Sequence, residues 1–218
     1  MKKILLAGAV ALFGLSNAQI AKGTTYLSGS VGYSQVESNN GNDKRENFNV
    51  LPTVGYFVNT NLAIGLGVGY QTEKNTLTTT TTLGNTTIVN ENVTKTPAFV
   101  VAPFVRKYWT LSDKLYFFGQ LAVPMQFGKT EVENSSVATT GSTVVTNSTS
   151  TEAKYTKIGV TVKPGLDYFL NKNWSIEATI GEFGYSNYKP KDGDATNNYN
   201  FGLNLSSVTF GVKYVFAK

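Results

Sequence analysis

From residue 24 to Phe216 the chain alternates apolar and polar positions with a period of two, as strands do when one face meets an apolar medium. Leu62, Ile64, Leu66, Val68 and Tyr70 share one face, with Ala63, Gly65, Gly67, Gly69 and Gln71 on the other. Phe48, Val50, Pro52, Val54, Tyr56 and Val58 repeat the pattern. So do Ile158, Val160, Val162, Pro164, Leu166 and Tyr168, set against Lys157, Gly159, Thr161, Lys163, Gly165 and Asp167. The pattern predicts eight strands, at 24–36, 45–58, 62–72, 95–109, 115–129, 154–170, 174–186 and 200–216.

The connectors alternate strictly in length. Those at 59–61, 110–114 and 171–173 are short, and those at 37–44, 73–94, 130–153 and 187–199 are long. In an up-and-down barrel, alternate connectors lie at opposite ends, so all short turns fall on one side and all long loops on the other. A tilted strand crossing a membrane needs about 9–11 residues, whereas soluble strands average about five or six; all eight segments reach the longer figure. Trp109, Leu115, Trp174, Phe169, Phe57, Tyr56 and Phe216 gather beside the short turns, and Tyr33, Tyr70, Phe127 and Tyr185 near the other ends. Two aromatic belts around an aliphatic middle are what two membrane–water interfaces select. The expected fold is all-β: an eight-stranded antiparallel up-and-down transmembrane β-barrel with short periplasmic turns and long extracellular loops. The competing architecture is a soluble barrel of lipocalin type with its apolar faces turned inward.

Two segments lose phase, which predicts bulges near Gly181-Glu182 and at Ser206-Ser207. Pro52, Pro103, Pro124 and Pro164 fall inside strands, where each removes a ladder donor.

The first residues read as a targeting segment. Lys2 and Lys3 precede an apolar run from Ile4 to Leu15, and Ser16-Asn17-Ala18 offers small residues at −3 and −1. Cleavage is expected between Ala18 and Gln19, leaving a barrel domain over 19–218. As a helix the apolar run would span about 18 Å, short of the roughly 30 Å hydrocarbon core. Without Lys2 and Lys3 the mature chain keeps 17 basic against 14 acidic residues, a net charge of +3. That modest excess, with no basic run, gives no basis for nucleic-acid binding. The chain has no cysteine, so an exported form must draw its stability from packing or from the membrane.

With the apolar faces toward lipid, the inward set includes Arg106, Gln120, Gln126, Lys157, Lys163, Asp167, Glu177 and Lys213. Charges in a narrow interior of low dielectric need partners. Arg106, Lys163, Asp167, Glu177 and Lys213 are therefore expected to form a paired structural network that plugs the lumen toward the periplasmic end. A selective narrow pore is the alternative use of the same residues. The threonine-rich stretches 75–96 and 131–151 carry turn signals at Leu83-Gly84-Asn85 and Thr140-Gly141-Ser142 and could rise above the membrane as hairpins, open to partners by strand addition. No catalytic, cofactor or metal residues are expected. The chain has no histidine, which removes Ser–His and Asp–His chemistry. Asp192-Gly193-Asp194 lacks the further acids of a calcium loop, and Gly65-Leu66-Gly67-Val68-Gly69 precedes no helix and is not a phosphate loop.

Particular segments carry a family likeness. Ala18-Gln19, the PFVRKYW stretch from Pro103 to Trp109, KPGLDYFLNKNWSIEATIG from Lys163 to Gly181 and the closing LSSVTFGVKYVF to Phe216 resemble the small outer-membrane β-barrel proteins of Gram-negative bacteria, the OmpA/OmpX-like group, in the porin-family form common in the Bacteroidetes. Ala217 and Lys218 depart from the group's usual terminal aromatic. The resemblance implies an outer-membrane location with both termini periplasmic. The partners expected with it are outer-membrane lipid, lipopolysaccharide and the barrel-assembly machinery, with a surface partner reached through the long loops. It leaves two roles open, a structural or surface-interaction barrel with a filled lumen and a passive diffusion channel for small solutes.

Overall fold

A computed structural model describes residues 20–202 and 208–216. The signal segment and the expected bulge at Ser206-Ser207 lie outside the described residues. Among the described residues, twelve antiparallel strands form one sheet: β1 (Thr25–Ser38), β2 (Asp43–Asn59), β3 (Leu62–Leu83), β4 (Thr86–Lys95), β5 (Ala98–Thr110), β6 (Leu115–Ala122), β7 (Met125–Thr140), β8 (Thr143–Phe169), β9 (Trp174–Ile180), β10 (Glu182–Pro190), β11 (Thr196–Gly202) and β12 (Val208–Phe216). The sheet closes on itself, because β1 pairs with β2 on one side and with β12 on the other, Thr25 opposite Phe216, and β12 continues through β9 to β8.

The count corrects the expected eight strands; three of the four added divisions have local causes, and the fourth, between β11 and β12, falls across 203–207, outside the described residues. Pro97 and Pro124 supply no N–H, and the ladder breaks at each without slipping. Lys95 opposes Lys74 and Ala98 opposes Gln71, three residues apart on both sides. Ala122 opposes Thr161 and Met125 opposes Ile158, again three on each side. Neighbouring bonds bridge the gaps, from Thr96 N–H to the Glu73 carbonyl at 2.8 Å and from Val123 N–H to the Pro103 carbonyl at 3.0 Å. At Gly181 a residue is inserted: Thr179 opposes Gly165 but Phe183 opposes Val162, four residues against three. Gly181 has φ of +75°, which suits a glycine in a bulge.

Burial follows the period of two. Ile64, Leu66, Val68 and Tyr70 are exposed on the outer wall while Ala63 is fully buried inside. The aromatic belt needs a correction at the short-turn end. Trp109, Trp174, Tyr56 and Phe216 do lie on the outer wall, but Phe57 is fully buried in the interior and Phe169 packs against that buried cluster.

The long connectors are largely strand. β3 and β4 form a hairpin turning at Gly84-Asn85, and β7 and β8 another turning at Gly141-Ser142. Each turn places a glycine with positive φ, +60° and +56°, at its first central position, as a type II′ hairpin turn requires. The hairpins also pair through β4 and β7, from Thr86 opposite Thr140 to Lys95 opposite Glu131. The result is a four-stranded sheet rising beyond the closed ring. Its outer edges, Thr79–Leu83 of β3 and the stretch 143–153 of β8, have no strand neighbour on their outer side among the described residues. Lys129 sits at the base of this sheet, 2.5 Å from Glu131 and 2.9 Å from Glu152. Hydrogen bonds to Glu131 and Glu152 push the Lys129 ammonium above its ordinary range, and the bond to Lys129 holds Glu152 below its own.

Candidate functional site in the lumen

The inward parity of β5, β8, β9 and β12 brings four charged side chains together inside the ring, toward the short turns. Arg106 Nη1 donates to Glu177 Oε1 at 2.5 Å. Lys213 Nζ donates to Asp167 Oδ2 and lies 3.4 Å from Glu177 Oε1. Arg106, Asp167, Glu177 and Lys213 are all buried, Asp167 and Lys213 completely. The two cations and two carboxylates balance, which is the condition for keeping charge in a medium of low dielectric.

Tyr108, two residues from Arg106 on β5, joins the cluster through its hydroxyl. It accepts from Arg106 Nη1 at 3.1 Å and from Lys213 Nζ at 3.4 Å. Sequence reasoning passed over Tyr108, although it shares the inward parity of Arg106. Gln120, from β6, accepts from Arg106 Nε at 2.8 Å and so fixes the guanidinium plane. Lys163 stands apart from the other four. It pairs with Glu182 at 2.7 Å, and both side chains are about one-third exposed. Lys163 has the right parity but the wrong height: four residues from Asp167 along β8 is about 13 Å at roughly 3.3 Å per residue.

Below the charges, toward the short turns, lies a layer of rings. Tyr26, Phe57, Tyr108, Tyr116 and Phe118 are buried, and adjacent ring centroids are 5.5–6.3 Å apart. Ile20, Ala63, Phe104, Ala122 and Val215 belong to the same core. The cations cap it. Arg106 lies 4.2 Å from the Phe118 centroid, and Lys213 lies 4.9 Å from both the Tyr108 and Phe169 centroids. Above the charges the lumen widens into a cavity of about 310 Å³ that Arg106, Glu177, Gln120, Lys163, Asn49 and Gln71 help to line. Gln126 lies higher still, accepting from Gln71 at 3.1 Å.

Glycines on the inner face make room for this filling. A Cβ at Gly165 would stand 2.3 Å from Phe118 Cζ and 2.6 Å from the Ala178 carbonyl oxygen. One at Gly65 would stand 2.3 Å from Phe104 Cζ and 2.4 Å from the Val54 carbonyl oxygen. The rings occupy the space that side chains at those positions would need.

A closed antiparallel ring, apolar outside and charged within, now meets a match over nearly its whole length: residues 5–216 fit the outer membrane protein beta-barrel domain. The chain belongs to that family. It is therefore an outer-membrane β-barrel whose strands cross the membrane. Among solved structures, this barrel is similar to the N-terminal β-barrel domain of Pseudomonas aeruginosa OprF, at 8% identity and a TM-score of 0.40, covering 90% of this chain and 100% of that one. It is also similar to Ail, the attachment invasion locus protein of Yersinia pestis, at 13% identity and a TM-score of 0.34, covering 89% and 99%. No protein of curated function matches the sequence. Among the described residues, no cluster of three or more acidic side chains could hold a metal ion in this outer-membrane barrel.

Proposed function

We propose that this outer-membrane barrel is a non-enzymatic, non-conducting wall element whose projecting sheet is its interaction surface. The observation that carries the reading is the aromatic layer under the balanced charge cluster. Rings of Tyr26, Phe57, Tyr108 and Phe118 with no more than 1% exposure leave no room for water between them. A cluster of two ion pairs above such a layer acts as a structural plug that fixes the strands around it. The absence of histidine supports a non-enzymatic role, since general acid–base work near neutral pH falls most often to that side chain.

In this reading the segment 1–18 is a signal that is removed. The short turns and both termini face the periplasm, and the four-stranded sheet stands outside the cell. The barrel-assembly machinery inserts the chain, and outer-membrane lipid covers its wall. The sheet offers partners two threonine-rich strand edges that also expose Leu83, Val144 and Val145, and whose backbone groups are available for strand addition. A second reading, a narrow channel for small solutes, draws on the polar cavity of about 310 Å³ above the charges. Planar-bilayer recording separates the two. The refolded wild type is expected to give a flat baseline, whereas discrete, reproducible openings would show a water path through the rings and replace the plug with a pore.

A further inference from the structure

On the outer wall, at the long-loop end, two grooves adjoin. The first, of about 520 Å³, is bordered by Tyr70, Phe99, Phe127, Lys129 and Lys154. The rings of Tyr70, Phe99 and Phe127 are 43–50% exposed. The second, of about 370 Å³, is formed by Lys154, Tyr155, Thr156, Lys189, Pro190 and Lys191, with no carboxylate in its lining.

Register explains why three lysines meet there. Lys154 opposes Lys129 across β7 and β8, and Thr156 opposes Lys189 across β8 and β10. Lys191 follows β10, and its backbone N–H donates to the Lys154 carbonyl at 2.8 Å. The parity of Phe127 and Tyr185, both on the lipid side, carries over to Lys129 one step further out and to Lys189 two steps further out. Lys154 shares the outward parity of Ile158 and Val160. Of the carboxylates near Lys154, Glu131 and Glu152 both hold Lys129. Lys154, Lys189 and Lys191 have no ion pair among the described residues. Three ammonium groups outside any close ion pair thus stand just beyond an exposed aromatic girdle, at the depth where a lipid carries its headgroup.

We infer that Lys154, Lys189 and Lys191 form a binding site for the phosphate of a phosphorylated membrane lipid, with its acyl chain lying over Tyr70, Phe99 and Phe127. The occupant has to be amphipathic, since the basic groove opens onto the ring-lined one through Lys154, Tyr155 and Thr156, which border both. A soluble anion would use the lysines and leave the rings uncovered. A neutral lipid would cover the rings and leave the charge uncompensated. This site rests on the membrane-spanning reading, because only a bilayer places lipid against this wall.

The test uses the full mature barrel, folded in a neutral detergent, with bound lipid counted by native mass spectrometry. The probes are lipid A bearing its phosphates and the same lipid A dephosphorylated. A juxtamembrane lysine contributes roughly fivefold to anionic-lipid affinity. Lys154→Gln with Lys189→Gln should therefore weaken phosphorylated lipid A by about 30-fold and leave the dephosphorylated lipid unchanged. Lys74→Gln with Lys95→Gln, an equal change of net charge, should alter neither. Equal binding of the two lipids by the wild type, or a preference that survives in the Lys154/Lys189 variant, would overturn the site. So would displacement of lipid A by excess inorganic phosphate, which would identify a soluble-anion site. Heat-modifiable gel mobility, recorded on the same samples, reports the barrel itself. A folded barrel without phosphate preference refutes only the lipid site, whereas loss of the folded, bilayer-inserting form refutes the reading beneath it.

Discussion

Replacing Lys213 by Met tests the charge cluster where it is least forgiving. The ammonium is fully buried, donates to Asp167 and lies 3.4 Å from Glu177. Methionine keeps most of the volume and the contact with the Tyr26, Tyr108 and Phe169 rings, so the loss is electrostatic rather than a cavity. Glu177 retains Arg106 at 2.5 Å, but Asp167, also fully buried, is left with no cation. Removing one partner of a buried pair costs about 3–5 kcal/mol. A ceiling comes from the escape open to Asp167, which is to take up a proton. From an ordinary pKa of about 3.9, neutralising an aspartate at pH 7 costs about 4 kcal/mol. Lys213→Met is thus expected to lose about 3–4 kcal/mol, read from urea unfolding in lipid vesicles where folding is reversible. The loss should shrink as pH falls toward the ordinary carboxyl range, since the unfolded chain then takes up the same proton. Adding Asp167→Leu should restore most of the stability, because an apolar pair of similar volume carries no desolvation cost. A Lys213→Met variant within about 0.5 kcal/mol of wild type, or a loss independent of pH between 4 and 7, would refute a buried, paired lysine.

Arg106→Ala should lower the melting temperature in detergent, since Glu177 then keeps only the longer contact to Lys213; an unchanged melting curve would place the guanidinium in solvent. Gly165→Ala is expected to destabilise by about 1–3 kcal/mol, because the new methyl meets both the Phe118 ring and the Ala178 carbonyl; neutral unfolding energetics would show a loosely filled lumen. Phe57→Ala with Phe118→Ala should cost several kcal/mol, at roughly 3–5 for each ring, and bilayer recording of any folded fraction should reveal openings that the wild type lacks. Shortening both hairpins, by removing 79–90 and 135–148, should leave the gel-shift signature of the folded barrel intact, because this sheet lies beyond the closed ring.

The sequence disclosed the wall more fully than the filling. The two-residue period places Ile64, Leu66 and Val160 outside and Asp167 and Lys213 inside because side-chain direction along a strand is a matter of parity alone. The inserted residue at Gly181 was legible for the same reason, as the apolar face changes parity there. The breaks at Pro97 and Pro124 have no such signature. They interrupt hydrogen bonding and leave the side-chain pattern running on, so at Pro124 parity saw one strand where the ladder makes two, while at Pro97 the strand before the break fell almost wholly in the stretch 73–94 read as a connector. Height along the barrel was the weaker coordinate. Lys163 has the parity of the cluster, but it stands four residues from Asp167 along β8, beside Glu182 on the neighbouring strand, a partner that only the register reveals. Aromatic residues mislead for a related reason: Phe57 and Trp109 both sit beside short turns, and parity separates the lumen ring from the belt ring. The pairing of β4 with β7 joins two polar hairpins far apart in sequence, and no apolar pattern announces it.

The most direct measurement of the account is the depth-dependent quenching of single labels, which the complete lack of cysteine makes clean. One cysteine carrying a fluorophore is placed in turn at Leu66 and Val160, on the outer wall, and at Ser28 and Thr161, inside. The barrel is then inserted in bilayers containing nitroxide lipids with the quencher at mid-chain. Strong quenching at Leu66 and Val160, with little at Ser28 and Thr161, is the expected result. Quenching that is absent from the outer pair, or equal at all four positions, would contradict a barrel with its apolar wall in lipid and its charges in a closed lumen.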